Sequence, residues 1–414
     1  MKNYYSYYQD IYQELNDKTA SHFSNNNNKY TYKFSNLYNK YILNPYLLYY
    51  SYQKCKNSNR SSAPGIDGIT IADVENNSPK RYIDSIYTEL QKDNYQPSPL
   101  HKSSIPKNNG KREIYIPTLK DKIVQRAVTL VLNPIYETLF YELSMAFRPN
   151  RSQLDAVQNT AEFIESGLTF VIKTDIKSCF DNLSKTLVME NMDFIHDDDF
   201  LGLIRSFFNP EIVDKDGNKQ SDAPDIAQGT VIAPLLSNVA LHSLDSLFIN
   251  NYNSKNCRMI RYADDLLFLM KYPNPDFITE IESMLNKLGL QRHQDKTYHL
   301  RMRTQEPLKY LGYFLQLKQV SPMGLYLGPK NERISELISD INQIIKEGVT
   351  VNYNEEVIFN DLKSHISSFA AYYRLSTDKK WLNKIINQTE RCLHDYSIRN
   401  TNGLIKEWRQ NLFG

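Results

Sequence analysis

With 414 residues, 41% hydrophobic and 23% charged, the chain has the apolar content for a sizeable core and the length for two or three packed units. That excludes a disordered or fibrous protein. The net charge of +2 does not announce a polyanion partner, but the charge is uneven: residues 98–126 and residues 291–330 each hold seven Lys/Arg against two Asp/Glu. Each window is either solvated surface or a patch for phosphates. Cys55, Cys179, Cys257 and Cys392 lie far apart, with no paired spacing for zinc and no secreted disulfide framework. Neither a positively charged apolar leader nor an 18-residue apolar run is present, so the expected compartment is the cytoplasm.

In chain order, Tyr4, Tyr8, Ile11 and Leu15 fall at helical spacing and predict a first helix whose stripe either packs or stacks on bases. Asn25 to Asn28 is a low-complexity break expected to be a loop. Pro64-Gly65 and Asp67-Gly68 then force turns, and a helix is expected over 81–93. Ile105 and the run Ile114 to Ile116 predict a hairpin tipped by Asn108-Asn109-Gly110, with Lys107, Lys111 and Arg112 around it. Such cations are either merely exposed or able to clamp a triphosphate. A helix is expected over 122–140, and Arg148 and Arg151 precede another helix start.

Phe170-Val171-Ile172 predicts a buried strand that delivers Asp175, a carboxylate that needs a partner at the end of an apolar strand. Phe180, five residues on, reads by itself as core. An acidic helix is expected around 193–199 and a turn at Asp216-Gly217. Gln228-Gly229-Thr230 reads as a loop feeding a helix with Pro234 in its first turn, Gly229 allowing a ligand to approach the backbone. Arg258 to Tyr262 and Leu266 to Met270 are β-prone runs about a tight turn expected at Asp264-Asp265. Adjacent acids in an apolar setting must neutralise unless a cation is present, and aspartate oxygens favour a hard ion such as Mg²⁺. The alternative is a solvated hairpin tip. A helix over 277–288 stops at Gly289, Lys296 follows, and 308–314 reads as one strand with a close-approach Gly312. Ile334, Leu337, Ile338, Ile341, Ile344 and Ile345 predict a helix ending at Gly348, the first of a C-terminal helical domain.

SAPGIDGIT, KREIYIPTLKDKIVQRA, AFRPNRSQLDAV, TDIKSCFDN, QGTVIAPLLSN, RYADD, LGLQRHQDKT and LKYLGY follow one another in that order. This series resembles the bacterial reverse transcriptases of the group II intron type, and SFAAYYRL is similar to their thumb segment. YADD alone is not specific; eight ordered motifs are. The resemblance implies an α+β right-hand polymerase fold with fingers, an antiparallel-sheet palm and a helical thumb. It divides the chain into an N-terminal helical extension (1–55), fingers and palm (56–320) and thumb (321–414).

The same resemblance implies an RNA-directed DNA polymerase with two Mg²⁺ ions on Asp175, Asp264 and the backbone carbonyl of Ile176, and Asp265 as an electrostatic support or secondary ligand. Lys107 and Arg112 would hold the triphosphate. Gln228, Gly229, Tyr262 and Ala263 would contact nucleotide and template, and Phe180 would lie under the sugar and disfavour ribonucleotides. Lys296 would protonate pyrophosphate, and Leu311 and Gly312 would grip the primer. The implied partners are dNTPs, a structured noncoding RNA as template and the cDNA product. Met145-Ala146-Phe147 departs from the family's Tyr-Gly-Phe, and Ala233-Pro234 from its Ser-Pro. Gln228 argues against the diversity-generating enzymes, and the retron elements Asn-Ala-x-x-His and Val-Thr-Gly are not found. With no segment resembling the DNA-binding or endonuclease domains of mobile intron proteins, the expectation is a compact enzyme similar to the defence-associated reverse transcriptases. The alternatives are an intron-encoded enzyme that assists splicing and a catalytically inactive RNA-binding scaffold.

Overall fold

The computed structural model describes residues 4–23, 33–58, 63–107, 110–220, 223–302, 306–318 and 324–396. The expected loop at 25–28 and the hairpin tip at 108–109 lie outside them. Helix α1 (Tyr4–Phe23) buries Tyr8, Ile11 and Leu15 against α2 (Pro45–Lys56) and α5 (Leu119–Leu139), so the stripe at these positions packs. A π-helical turn (Tyr38–Ile42) precedes α2, whose start is set by Asn44, its side chain accepting from the Tyr46 N–H at 2.9 Å, and by Pro45 at the first helical position. A Thr70–Asp73 capping box starts α3 (Ile71–Asn77), and Ser78 with Pro79 starts α4 (Pro79–Gln91).

Strands β1 (Leu100–Lys107) and β2 (Gly110–Ile116) form the expected hairpin, with Lys107 opposite Gly110. After α5 come α6 (Gln153–Glu165), β3 (Phe170–Asp175), α7 (Cys179–Asn182), α8 (Lys185–Glu190) and α9 (Asp198–Arg205). The acidic stretch is not the helix expected from its composition: Ile195 bridges to Phe34, and Asp197 caps α9 by accepting from Phe200 N–H at 2.9 Å. Asp favours an N-cap over a helix interior because its side chain competes for backbone donors. β4 (Ile212–Val213) and β5 (Lys219–Gln220) complete a sheet of order β2-β1-β4-β5.

The central sheet is built from β6 (Cys257–Tyr262), β7 (Asp265–Met270), β3 and β8 (Tyr298–Arg301), in that order and antiparallel throughout. α10 (Ala233–Asn251) leads into it, and α11 (Phe277–Asn286) and a 3₁₀ turn (Gln294–Lys296) lie between β7 and β8. Residues 308–314, read above as one strand, are two: β9 (Leu308–Tyr310) and β10 (Tyr313–Lys318) flank a two-residue turn with φ +43° at Leu311 and +78° at Gly312. A two-residue turn preserves the alternation of side chains, so the pattern alone does not reveal the reversal. β11 (Gly324–Pro329) pairs with β10.

Helices α12 (Asn331–Thr350), α13 (Glu355–Tyr372) and α14 (Lys380–Asp395) close the chain described. Gly348 does not stop α12. It is buried inside the helix, where an added Cβ would meet Ile358 Cγ1 of α13 at 2.6 Å. One apolar core extends from Tyr8 in α1 to Leu393 in α14. Among the described residues no helix is long and apolar enough to cross a membrane.

Candidate active site

Asp175 ends β3 directly opposite Asp265, which begins β7. Tyr262 also pairs with Asp265, so the turn is Ala263-Asp264, one residue earlier than the two acids suggest. Ala263 takes φ +59°, a conformation that costs an L-residue roughly 1–2 kcal/mol. The turn thereby keeps Asp265 in the ladder, on the same face as Asp175, and frees Asp264 at the tip. Ile176 N–H donates to the Asp264 carbonyl at 3.0 Å. Ile176 bridges to Arg292, and the flanking bonds are His293 N–H to the Asp175 carbonyl (2.7 Å) and Lys177 N–H to the Gln291 carbonyl (2.8 Å). In such a pair neither central residue points its peptide groups at the other, so the Ile176 carbonyl is turned away from Arg292.

Burial, then the negative charge of Asp175, pushes the Asp264 carboxyl above the usual range; Lys296 and Arg112 pull it back. Burial raises Asp265 to about 6, opposed by Lys173, whose ammonium lies 3.0 Å from Asp265 Oδ2. Asp265 Oδ1 is buried without a hydrogen-bond partner. The Lys296 ammonium is paired with the Asp175 carboxylate. Lys173 was not foreseen, although its spacing of two from Asp175 on a strand puts both on one face. Among the described residues no three His, Cys, Asp or Glu side chains converge on one point. The donors on offer are two carboxylates and a carbonyl, all hard oxygens. They suit Mg²⁺, which keeps several waters and binds through one or two carboxylates plus substrate phosphates.

Beneath the turn lies a buried ion pair also missed from sequence. Arg261, fully buried, donates to Asp245 through Nε (2.8 Å) and Nη2 (2.5 Å), to Asn238 Oδ1 at 2.9 Å, and to the Ala263 carbonyl at 3.5 Å. Asn238 and Asp245 are seven residues apart on α10, two turns on one face. That spacing, with an Arg between strand residues, was the available signal.

The family described as reverse transcriptase (RNA-dependent DNA polymerase) matches residues 102–315, just over half of the chain. The chain belongs to the reverse transcriptase family. It is similar to protein YkfC of Escherichia coli (strain K12), 33% identical over 212 residues that make up 50% of this chain and 55% of YkfC. It is also similar to the group II intron-encoded protein LtrA of Lactococcus lactis subsp. cremoris, 31% identical over 214 residues, 50% of this chain and 34% of LtrA. The chain spans 55% of the length of YkfC and about a third of that of LtrA. A solved structure of telomerase from Candida albicans in complex with a fragment of telomeric RNA aligns with a TM-score of 0.45 at 15% identity, over 76% of this chain and 64% of that one.

Arg112, exposed on β2, is within electrostatic reach of Asp264; the Lys107 side chain lies outside the described residues. At Gly229 (φ +107°) an added Cβ would meet the Tyr115 carbonyl at 2.9 Å, and Tyr115 N–H donates to the Gln228 carbonyl at 2.8 Å. Phe180 is half-buried against the core on α7. Leu311 and Gly312 are held from the end of α13: Tyr372 Oη donates to the Leu311 carbonyl at 2.7 Å and Tyr373 Oη to the Gly312 carbonyl at 3.0 Å. Tyr372 Oη also reaches Gln153 Oε1 at 3.1 Å. The basic windows are partly consumed internally. Lys102 pairs with Glu113, Lys120 with Glu89 and Arg292 with Glu282, while Lys122 donates to the Ala63 carbonyl.

Proposed function

We propose that this reverse transcriptase is an RNA-directed DNA polymerase that copies an associated structured noncoding RNA into cDNA, in anti-phage defence. The observation that carries the polymerase reading is the convergence of Asp175, Asp264 and the Ile176 carbonyl at one end of the palm sheet, with the cations Lys296 and Arg112 acting on the same carboxylates. Mg²⁺ held there would activate the primer 3′-hydroxyl and neutralise charge on the triphosphate. Arg112 and Lys107 hold the triphosphate, and Lys296 is the ammonium available to protonate the departing pyrophosphate. Asp265, tied to Lys173, supports the two ligands from the ladder. Gln228 and Gly229, with Tyr262 and Ala263, bound the nucleotide and template, Phe180 lies against the sugar, and Leu311 and Gly312 steady the primer.

The defence reading is supported by the motif choices: Gln228-Gly229 is intact and the retron elements are not found. The similarity to LtrA favours a second reading, an intron-encoded enzyme that assists splicing. Sequencing the nucleic acid that co-purifies with the protein distinguishes them. RNA and matching cDNA from a neighbouring noncoding locus support the first, and enrichment of an intron surrounding the gene supports the second. Purified protein that incorporates no dNTP on any primed RNA would overturn the polymerase reading.

A further inference from the structure

Gln125 is 3% exposed in the interior of α5. Burying a side-chain amide is unfavourable unless its polar atoms find partners, so its partner is informative. That partner lies 106 residues away in the sequence: the Val231 N–H donates to Gln125 Oε1 at 2.9 Å. Only the carbonyl oxygen of the amide can accept this proton, which fixes the orientation of the side chain.

Val231 closes the loop that carries Gln228 and Gly229, just before α10. That helix begins without a local cap: Ile232 stands at its N-cap, no side chain there accepts a hydrogen bond, and Pro234 lies in the first turn. The usual Ser, Thr, Asp or Asn that fixes where a loop joins a helix is missing, and the acceptor comes from α5 instead. The other end of the loop is held by β2, where the Tyr115 N–H donates to the Gln228 carbonyl at 2.8 Å and the Tyr115 carbonyl leaves no room for a side chain at Gly229. The two anchors bracket residues 228–231, and the first belongs to the strand that also carries Arg112. We propose that Gln125 is a positioning residue for nucleotide binding: acting through the Val231 backbone, it holds the Gln228–Gly229 loop in register with β2, so that the surface offered to the incoming nucleotide is set before the nucleotide arrives. This role rests on the polymerase reading above.

The test compares wild type with Gln125→Met, which keeps the length of the side chain and removes the acceptor, and with Gln125→Glu, which keeps an acceptor oxygen at the same reach whether or not it is ionised. Steady-state dNTP incorporation, melting temperature and amide hydrogen exchange over residues 226–232 are measured on the full chain. Gln125→Met is expected to raise KM for the dNTP about tenfold, the order of one buried hydrogen bond, and to leave kcat within about twofold of wild type. The amides of residues 226–232 should exchange faster in that variant, and Gln125→Glu should return both readouts toward wild type. An unchanged KM in a well-folded Gln125→Met protein overturns the proposal. So does a Gln125→Met protein in which kcat and melting temperature fall together, which makes Gln125 a packing residue, or a Gln125→Glu protein that behaves as Gln125→Met does. A wild-type protein that adds no nucleotide fails the polymerase reading alone, and the exchange comparison still decides whether Gln125 holds the loop.

Discussion

Arg261 and Asp245 are both fully buried, and each satisfies the other's charge under the turn that carries Asp264. Removing one partner strands the other in apolar surroundings, which costs about 3–5 kcal/mol. Arg261→Met should lose that much in denaturant unfolding, and adding Asp245→Leu should recover most of it; simple additivity would show the pair is uncoupled. The catalytic carboxylates behave differently. Asp175→Asn or Asp264→Asn is expected to abolish DNA synthesis while leaving melting and RNA binding near wild type, because a lost ligand charge lowers metal affinity. Mg²⁺-dependent incorporation at the wild-type rate in either variant would refute the assignment. Phe180 presents two competing roles in one ring. As a barrier to the 2′-hydroxyl it leaves that group unpaired, at roughly 1–3 kcal/mol, so Phe180→Ala should admit ribonucleotides about ten- to a hundredfold better. As a packing residue it would instead lower the melting temperature and lose both substrates together. Relative dNTP and rNTP incorporation, read beside melting curves, separates these.

At the scale of elements, the joint between the β9–β10 turn and α13 is held by tyrosine hydroxyls, and that of Tyr372 reaches furthest. Tyr372 on α13 binds both the Leu311 carbonyl in the β9–β10 turn and Gln153 at the start of α6, and Gly312 is left without a side chain so that the ring can approach. Tyr372→Phe keeps the ring and removes the one proton these two acceptors share, at about 0.5–1.5 kcal/mol. The thumb should then hold the duplex less firmly, shortening the products made in a single binding event while the first addition proceeds. Product lengths equal to wild type in the presence of a trap would rule the joint out as a clamp.

Across the whole molecule, the cations of the basic windows that stay exposed are expected to act as a spread of phosphate contacts and not as one site. Lys111 and Lys309 are exposed, whereas Lys102, Lys120 and Arg292 are committed to carboxylates. RNA affinity should fall steeply with salt as counterions are released, and Lys111→Glu with Lys309→Glu should flatten that dependence without changing the Mg²⁺ requirement. A flat titration of the wild-type protein would contradict the arrangement.

Local chemistry made much of this legible in advance. Alternation and turn residues located the β1–β2 hairpin and the β6–β7 pair, apolar spacing located α1, α5 and α12, and the ordered motifs, through the family resemblance, singled out Asp175, Asp264 and Lys296 as candidates. These signals act over a few residues, so the sequence by itself determined the elements and the acids they carry. It could not say that the turn falls at Ala263-Asp264, that 308–314 reverses, or that Gly229 lies against Tyr115 and Gly348 against Ile358. It was equally silent on Lys173 reaching Asp265 and on Arg261 being buried against Asp245. Each of these depends on which faces meet and which charges lose their water, and that is decided only when separate elements pack together.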